Sequence, residues 1–420
     1  MNVYSLLVDL GGTDIKFALA DGDKLLEETI TRWSFPLFLD DDPKSFEPRA
    51  IIEIVDQGIE SYINSSLKPD RILLTGQMGC WIATSQSGDY QSNVISWQAS
   101  SQVSSEFLKT LYEPNFVSEN KPLLGTGNED WSGAPWRTFA AHLSNQLPSS
   151  PGILFHTLLS WVAWELTGRA ERIVHNSDAA ATGLFNLNDN DWLGNFTSGG
   201  FDVEFPKVSS NLCKVGLYNF SDIPVYVGIG DQQASLFGAG LEESLYIINA
   251  GTGGQVARRV KSVTSGSFKT RPFFDGNYLE TITHIPSGRF LSQLRDFLNN
   301  ERNENRDWKW IWNRGLSDDV SEVELSIQDW EIETFLNNHH DIDSTVLADS
   351  IVRGIARKFI ENLVAIGCEK GDTVLLAGGV ASNLKCLRQM LEEMGFEVIQ
   401  SKSKESTLEG LAKLTETLVN

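Results

Sequence analysis

The sequence predicts an α/β protein, because short buried strands alternate with amphipathic helices. Apolar runs at Ser5–Asp9, Arg71–Gly76 and Thr373–Ala377 have strand character, and each runs into a turn or loop. Apolar residues with helical spacing occupy Pro48–Ser66 and Leu347–Ile366. The other expected elements are strands at Ile15–Ala20, Val225–Ile229 and Leu245–Asn249, and helices at Leu158–Leu166, Gln232–Leu241 and Asn383–Met394.

The two halves of the chain carry related patterns. A strand opens into a Gly/Thr turn in VDLGGT near the start and again in NAGTGG in the second half. A length of 420 residues also exceeds what one hydrophobic core usually serves. We therefore expect two related α/β domains, residues 1–222 and 223–420, with a cleft between them.

Composition argues against several classes of function. The formal net charge is −22, from 34 basic and 56 acidic residues, so most of the surface would repel a nucleic acid. No apolar run is long enough to cross a bilayer, and the N-terminus does not resemble a signal peptide. The 4 cysteines are scattered without a Cys-x-x-Cys pair, which favours free thiols in the cytoplasm over a zinc site.

The first candidate site is the turn after the first strand. Asp9 precedes Gly11, Gly12 and Thr13, which offer backbone N–H groups and a hydroxyl to phosphate oxygens. The carboxylate could hold Mg²⁺ through water. The alternative is an ordinary hairpin turn with a solvated aspartate.

The second candidate is Asp231, which follows a strand and opens a helix. Open α/β sheets bind ligands at the carboxyl ends of their strands. Aspartate is also a favoured helix N-cap, so the isolated motif leaves both interpretations open.

Two glycine-rich loops follow later strands. Gly251, Thr252 and Gly253 form a second candidate phosphate turn, and Gly378 and Gly379 could lie against an adenine. The alternative for the first is an ordinary flexible loop, and the alternative for the second is a tight turn capped by Ser382 or Asn383. The chain contains no GxxxxGK[ST] phosphate loop.

In this order, the motifs resemble those of the FGGY carbohydrate kinases, members of the actin-like/hexokinase superfamily. The resemblance spans nearly the whole chain. It is carried by VDLGGTDIK (Val8–Lys16), TGQMGCW (Thr75–Trp81), ISWQASSQVSSEFL (Ile95–Leu108), the Leu166–Asn186 segment, GIGDQQASLFGAG (Gly228–Gly240), INAGTGGQV and LLAGGVASN. The Ile95–Leu108 motif is most similar to that of sedoheptulokinases.

Three features depart from the family pattern. Gly79 follows Met78 where many members have histidine, and Ala99 and Ser101 replace an aspartate and an arginine after the Trp-Gln pair. The segment between Phe107 and Pro151 is shortened and divergent. These departures affect the expected substrate, not the expected reaction class.

The resemblance implies two actin-like/hexokinase (ribonuclease H-like) domains with a central cleft, which bind ATP, Mg²⁺ and a sugar. It implies that Asp231 is the catalytic base and that Asp9 and Asp231 serve the metal. The implied sugar-site residues are Gln77, Met78, Trp97, Gln98, Asp231 and Gln232. The implied nucleotide-site residues are Gly11, Gly12, Thr13, Lys16, Gly251, Thr252, Gly253, Gly378, Gly379 and Asn383.

The resemblance leaves alternatives open. A ketose such as sedoheptulose is the expected substrate, with xylulose or ribulose as the nearest rivals. A non-catalytic sugar or nucleotide sensor of the same fold would need no base, and an actin-like or chaperone ATPase would need no sugar motifs. The expected partner is a small sugar, with neither nucleic acid nor membrane, and a homodimer is compatible with the family.

Overall fold

The computed structural model describes residues 3–39, 44–101, 107, 135–145, 152–193, 201–242, 245–264, 266–316 and 342–418. In these residues, strands and helices alternate, which confirms the α/β prediction. Residues 102–106 and 108 of the sugar-related motif lie outside the described residues, as does most of the divergent segment after Phe107. No described helix is long and apolar enough to cross a membrane.

The elements have the following bounds. The strands are β1 (Tyr4–Leu10), β2 (Asp14–Asp21), β3 (Lys24–Ser34), β4 (Ser45–Phe46), β5 (Arg71–Gly76), β6 (Trp81–Ser85), β7 (Val94–Ile95), β8 (Ile153–Thr157), β9 (Ile173–His175), β10 (Phe185–Asn186), β11 (Asp191–Trp192), β12 (Val203–Glu204), β13 (Lys207–Ser209), β14 (Lys214–Leu217), β15 (Pro224–Tyr226), β16 (Ile229–Gly230), β17 (Leu245–Ala250), β18 (Gly254–Val260), β19 (Lys269–Pro272), β20 (Tyr278–Ile285), β21 (Thr373–Ala377) and β22 (Glu397–Gln400). The helices are α1 (Pro48–Ile63), α2 (Pro135–Ser144), α3 (Leu158–Leu166), α4 (Asn176–Ala179), α5 (Asp231–Ala239), α6 (Gly288–Asn300), α7 (Trp308–Trp312), α8 (Ser344–Ala365), α9 (Gly379–Asn383), α10 (Lys385–Glu393) and α11 (Ser406–Lys413). Short 3-10 helices lie at Tyr218–Phe220, Phe274–Gly276 and Leu414–Thr417.

The chain folds into two compact units, and neither is a single stretch of sequence. The first contains Met1–Gly238, Thr270–Tyr278 and Glu405–Asn420, and the second contains Ala239–Lys269 and Leu279–Lys404. The division into functional domains near residue 222 stays a prediction.

The first unit is built on a mixed sheet with strand order β14-β15-β5-β1-β2-β3, and β16 also pairs with β5. The expected hairpin is present, since β1 and β2 pair antiparallel from Tyr4 opposite Asp21 to Leu10 opposite Ile15. Residues Leu6, Leu7 and Val8 are fully buried, as expected for a continuous apolar strand inside a sheet. A second sheet of the unit has the order β12-β8-β6-β7-β4.

The second unit contains strands in the order β20-β18-β17-β21-β22. Strands β17, β21 and β22 are parallel neighbours. Helix α8 buries Ile351, Ile355 and Phe359 in the core of this unit. Its first turn is capped by Asp343, whose side chain accepts from the backbone N–H groups of Thr345 and Val346.

Two predicted elements are interrupted in the structure. The expected strand Val225–Ile229 is divided into β15 and β16, because Val227 donates its N–H to Cys213 O at 3.0 Å instead of continuing the pairing with β5. The expected helix Asn383–Met394 is interrupted at Leu384, which is extended and buried, so Asn383 ends α9 and α10 begins at Lys385. In both places tertiary packing overrides the local pattern.

Helices α5 and α11 of the first unit meet backbone to backbone. A methyl group at Gly238 would overlap Ser406 O, and one at Gly410 would overlap Ala234 O. Glycine is needed at both positions because no side chain fits between the helices.

We expect Gly238→Ala to lower the free energy of unfolding by about 1–3 kcal/mol, the usual cost of overpacking a tight contact. Urea denaturation measures this change. Gly253→Ala is the matched control, since a methyl group there has open space. Equal stability of Gly238→Ala and the wild type would contradict the close packing of α5 and α11.

Candidate active site

Three parallel strand ends converge in the first unit. Strand β1 pairs with β5 so that Asp9 lies opposite Thr75, and β16 pairs with β5 so that Ile229 lies opposite Thr75. Parallel strands end at the same edge of a sheet. The turn after β1, the loop after β5 and Asp231 after β16 therefore start side by side.

Asp9 is a buried carboxylate on β1, with 5% of its surface exposed. Burial raises its pKa to about 7, Lys16 on the neighbouring strand lowers it, and the charge of Asp231 raises it further. The effect of the Asp231 charge on Asp9 indicates that the two aspartates lie near each other.

Asp231 begins helix α5 and is half-buried. Its Oδ1 accepts the backbone N–H of Gln232 at 2.8 Å. Burial raises the pKa of Asp231 to about 7. The Gln232 hydrogen bond and the Arg271 guanidinium oppose this rise, and the charge of Asp178 adds to it. A partly accessible carboxyl with a pKa near neutrality is suited to accept a proton from a substrate.

Asp178 is a third buried carboxylate, and the sequence did not single it out. It lies in the short helix α4 and is 1% exposed. Burial raises its pKa to about 7, and a hydrogen bond from Thr157 lowers it. Its Oδ2 has no hydrogen-bond partner among the described residues. The only sequence signal was its place within the Leu166–Asn186 motif.

The backbone that carries Asp231 is held by a buried hydrogen-bond chain. Gly230 donates its N–H to Ser177 Oγ at 3.0 Å, and Ser177 Oγ lies 2.8 Å from His175 Nδ1. Burial lowers the pKa of His175 to about 4, so the imidazole is neutral. Because Nδ1 also accepts the N–H of Ser177, the ring proton resides on Nε2. Ser177 thus accepts from Gly230 and donates to His175.

The loop after β5 holds two residues that were predicted to contact sugar. Met78 is half-buried and packs against Gly230, where any side chain would overlap its sulfur. Gln77 is 5% exposed, its N–H donates to Leu10 O at 2.9 Å, and its amide lies 3.5 Å from Gly11 O. Gln77 therefore supports the glycine turn, whereas Met78 packs against Gly230, the residue before Asp231.

Trp97 and Gln98, also predicted for the sugar site, follow strand β7 and are half-buried. A methyl group at Gly79, which has a φ of +79°, would lie 3.2 Å from Trp97 Cβ. The loop that carries Met78 therefore packs against Trp97. Gln232, the sixth predicted sugar residue, is buried in the first turn of α5.

The first predicted phosphate turn is accessible, since Gly12 and Thr13 are exposed. Lys16, predicted to contact phosphate, forms an ion pair with Glu405 at 2.9 Å and remains partly exposed. Glu405 also pairs with Arg32. A phosphate group would share Lys16 with Glu405.

The remaining residues that were predicted for the nucleotide site lie in the second unit. Strands β17 and β21 are parallel, with Asn249 opposite Ala377, so the loops at Gly251–Gly253 and Gly378–Gly379 leave the same edge. Thr252 and Gly253 are exposed. Gly378 has a φ of +81°, and a methyl group there would overlap Ala250 O.

Three further hydrogen bonds hold these loops. The N–H groups of Gly288 and Arg289, at the start of α6, donate to Gly251 O and Thr252 O at 2.9 Å each. The Asn383 amide donates to Gly379 O at 2.7 Å. These bonds fix the loop carbonyls and leave the exposed N–H groups of the turn for a ligand.

The residues present fit a magnesium–nucleotide ligand. No group of three or more His, Cys, Asp or Glu side chains suited to a metal occurs among the described residues. Mg²⁺ bound with a nucleotide requires only one or two carboxylates, because phosphates and water complete its shell. Asp9 and Asp231 can supply them.

The fold is that of two-domain sugar kinases. The chain is similar to a xylulose kinase from Lactobacillus acidophilus (17% identity, 98% of this chain and 89% of that chain, TM-score 0.73). It is also similar to a gluconate kinase from the same organism (17% identity, 99% and 89%, TM-score 0.75) and to Plasmodium falciparum glycerol kinase (17% identity, 98% and 89%, TM-score 0.73). No family model matches the chain.

We expect Asp178→Asn to change how stability depends on pH. The folded state raises the pKa of this carboxyl from 3.8 to about 7, so it favours the protonated form. The resulting stabilisation is complete below about pH 4 and is lost as the pH rises to about 7. Asparagine does not ionise, so the variant should gain stability relative to the wild type between pH 4 and pH 8, by up to about 4 kcal/mol.

Denaturation at several pH values measures this difference. Asp191→Asn, at an exposed position of β11, is the control and should follow the wild type. A stability difference between Asp178→Asn and the wild type that does not change with pH would contradict the buried, protonated carboxyl.

Proposed function

We propose that this protein is an ATP-dependent carbohydrate kinase that phosphorylates a hydroxyl group of a ketose. The observation that carries the proposal is Asp231, a half-buried carboxyl whose pKa is raised to about 7 at the end of β16. It lies at the same sheet edge as Asp9 and the Gly11–Thr13 turn. A base beside a phosphate turn is the arrangement that phosphoryl transfer to an alcohol needs.

Asp231 would accept the proton of the attacking hydroxyl. The hydroxyl oxygen forms a bond to the γ-phosphorus as the bond between that phosphorus and the bridging oxygen of ADP breaks. Met78 against Gly230 and the His175–Ser177 chain hold the strand end that carries this carboxylate. The protein thus contributes position and electrostatics, which are the main requirements for this reaction.

Phosphate oxygens would be held by Gly11, Gly12 and Thr13, with the exposed turn at Thr252 and Gly253 as a second set of donors. Gly378, Gly379 and Asn383 would border the adenosine. Mg²⁺ bound with ATP would screen the phosphate charge. Asp9 would orient that ion through water, and Lys16 would turn from Glu405 toward a phosphate.

The sugar would lie against Trp97, Met78 and Gln98, with Gln232 as a hydrogen-bonding neighbour of the base. Trp97 can offer an apolar face to the C–H side of a sugar. A ketose is favoured because the Ile95–Leu108 motif follows the sedoheptulokinase-like pattern. Pentuloses are the second candidate, supported by the similarity to a protein described as a xylulose kinase.

A non-catalytic sensor of the same fold is the rival from another class. Such a protein needs no general base and gains nothing from a buried carboxyl that destabilises the fold at neutral pH. Three carboxyls with raised pKa values, Asp9, Asp178 and Asp231, favour an enzyme.

We expect Asp231→Asn to lower kcat by about 10²–10⁴-fold, the usual contribution of a positioned general base. The KM values for sugar and ATP should change little, because asparagine keeps the size of the side chain. Steady-state ADP release measures both constants, with the exposed Asp191→Asn as the control. Near-wild-type turnover by folded Asp231→Asn would remove Asp231 as the base.

We expect a ketose to be the preferred acceptor in a comparison of kcat/KM for sedoheptulose, xylulose, ribulose, fructose, gluconate and glycerol. The loss of charged groups at Ala99 and Ser101 should widen tolerance among ketoses, because fewer buried polar groups are left unpaired by a wrong sugar. If glycerol or gluconate exceeded every ketose by about tenfold, or about 1.4 kcal/mol in transition-state binding, the ketose assignment would fail. The kinase assignment would stand.

A further inference from the structure

A segment distant in sequence packs against the helix that begins with Asp231. Residues Thr270–Tyr278 belong to the first unit, although the chain on either side of them belongs to the second. The Phe237 ring on α5 lies 6.3 Å from the Phe273 ring and 5.2 Å from the Phe274 ring. This segment is therefore anchored to α5 by an aromatic cluster.

Gln233 fixes the segment close to the candidate base. Its side chain is fully buried, and its Nε2 donates to Pro272 O at 3.2 Å. Its Oε1 occupies the space beside Gly230, because a methyl group at Gly230 would lie 2.6 Å from it. One glutamine side chain thus connects the residue before Asp231 to the residue after Arg271.

Arg271 is the charged residue that this connection brings to the site. It is 5% exposed, and its guanidinium holds the pKa of Asp231 lower than burial alone would. Burial of a guanidinium is costly unless it meets acceptors. A guanidinium can pair with a carboxylate and still donate to a further oxygen, because its five N–H groups form a planar fork.

We propose that Arg271 is a specificity-determining residue. It donates a hydrogen bond to the sugar oxygen on the carbon adjacent to the one whose hydroxyl is phosphorylated. This inference rests on the proposed function. The oxygen that attacks phosphorus must lie at Asp231, so the next oxygen of a polyol lies within a few ångströms of it. Gln233 contacts both Pro272 and Gly230, which places Arg271 near the strand end that carries Asp231. Its guanidinium is therefore placed to meet that neighbouring oxygen.

The test compares two acceptors in the full-length wild type and in Arg271→Gln. The first acceptor is the best substrate among sedoheptulose, xylulose and ribulose. The second is the analogue of that sugar that lacks the oxygen on the carbon adjacent to the one whose hydroxyl is phosphorylated. We expect Arg271→Gln to lower kcat/KM for the ketose by about 10–100-fold, the usual effect of a charged hydrogen bond. The loss for the deoxy analogue should be under about threefold, since the analogue never made this bond.

Three further variants separate sugar recognition from folding. Lys269→Gln removes a cation from the same strand, where Lys269 bonds Thr283, and should leave both acceptors as in the wild type. Gln233→Met removes the bond to Pro272. Like Arg271→Gln, it should lower kcat/KM for the ketose more than for the deoxy analogue. Arg271→Lys, which keeps the charge, should recover part of the ketose activity. Equal losses for both acceptors would assign Arg271 a structural or phosphate-related role and overturn the inference.

The inference and the proposed function can fail separately. If the wild type phosphorylates none of the sugars, the proposed function fails. The affinities of the wild type and Arg271→Gln for the same three ketoses, measured by isothermal titration calorimetry, then test the Arg271 contact by itself. Weaker ketose binding by Arg271→Gln than by the wild type would support the contact, and equal affinity or no ketose binding by the wild type would overturn it.

Discussion

The candidate site depends on the parallel pairing of β1 and β16 with the central strand β5. This register brings Asp9, Gln77 and Asp231 to one sheet edge, although they are far apart in sequence. A shift of one residue in the pairing of β1 with β5 would turn Asp9 to the opposite face of the sheet. The buried apolar strands and the Gly230–Ser177 bond secure the register, so the geometry of the site follows from the packing of the core.

The electrostatic character of the site follows from the same burial. Asp9, Asp178 and Asp231 all have pKa values raised to about 7, with burial as the largest cause in each case. Lys16 and Arg271 only partly oppose this effect. Buried negative charge at this site is therefore unfavourable at neutral pH, and the binding of a cation or a proton would neutralise it.

The sequence predicted those parts of the site that local patterns encode. Asp9 and Asp231 follow recognisable strands, and the paired strands β1 and β2 confirm the expected hairpin. The sequence does not predict Arg271 as a site residue, because its strand carries no motif and its neighbours are set by tertiary packing. The ion pair of Lys16 with Glu405 was not predicted either, because the two residues are 389 positions apart in sequence. The phosphate contact of Lys16 stays a prediction.

The packing of α11 on α5 also bears on how the chain folds during synthesis. Residues 1–238 leave the ribosome well before Glu405 and α11, while all residues of the second unit are present once Lys404 has emerged. Domains generally fold as units as they are synthesised. The unit that begins first is thus completed last, and until then the glycine face of α5 at Gly238 has no partner helix in the nascent chain.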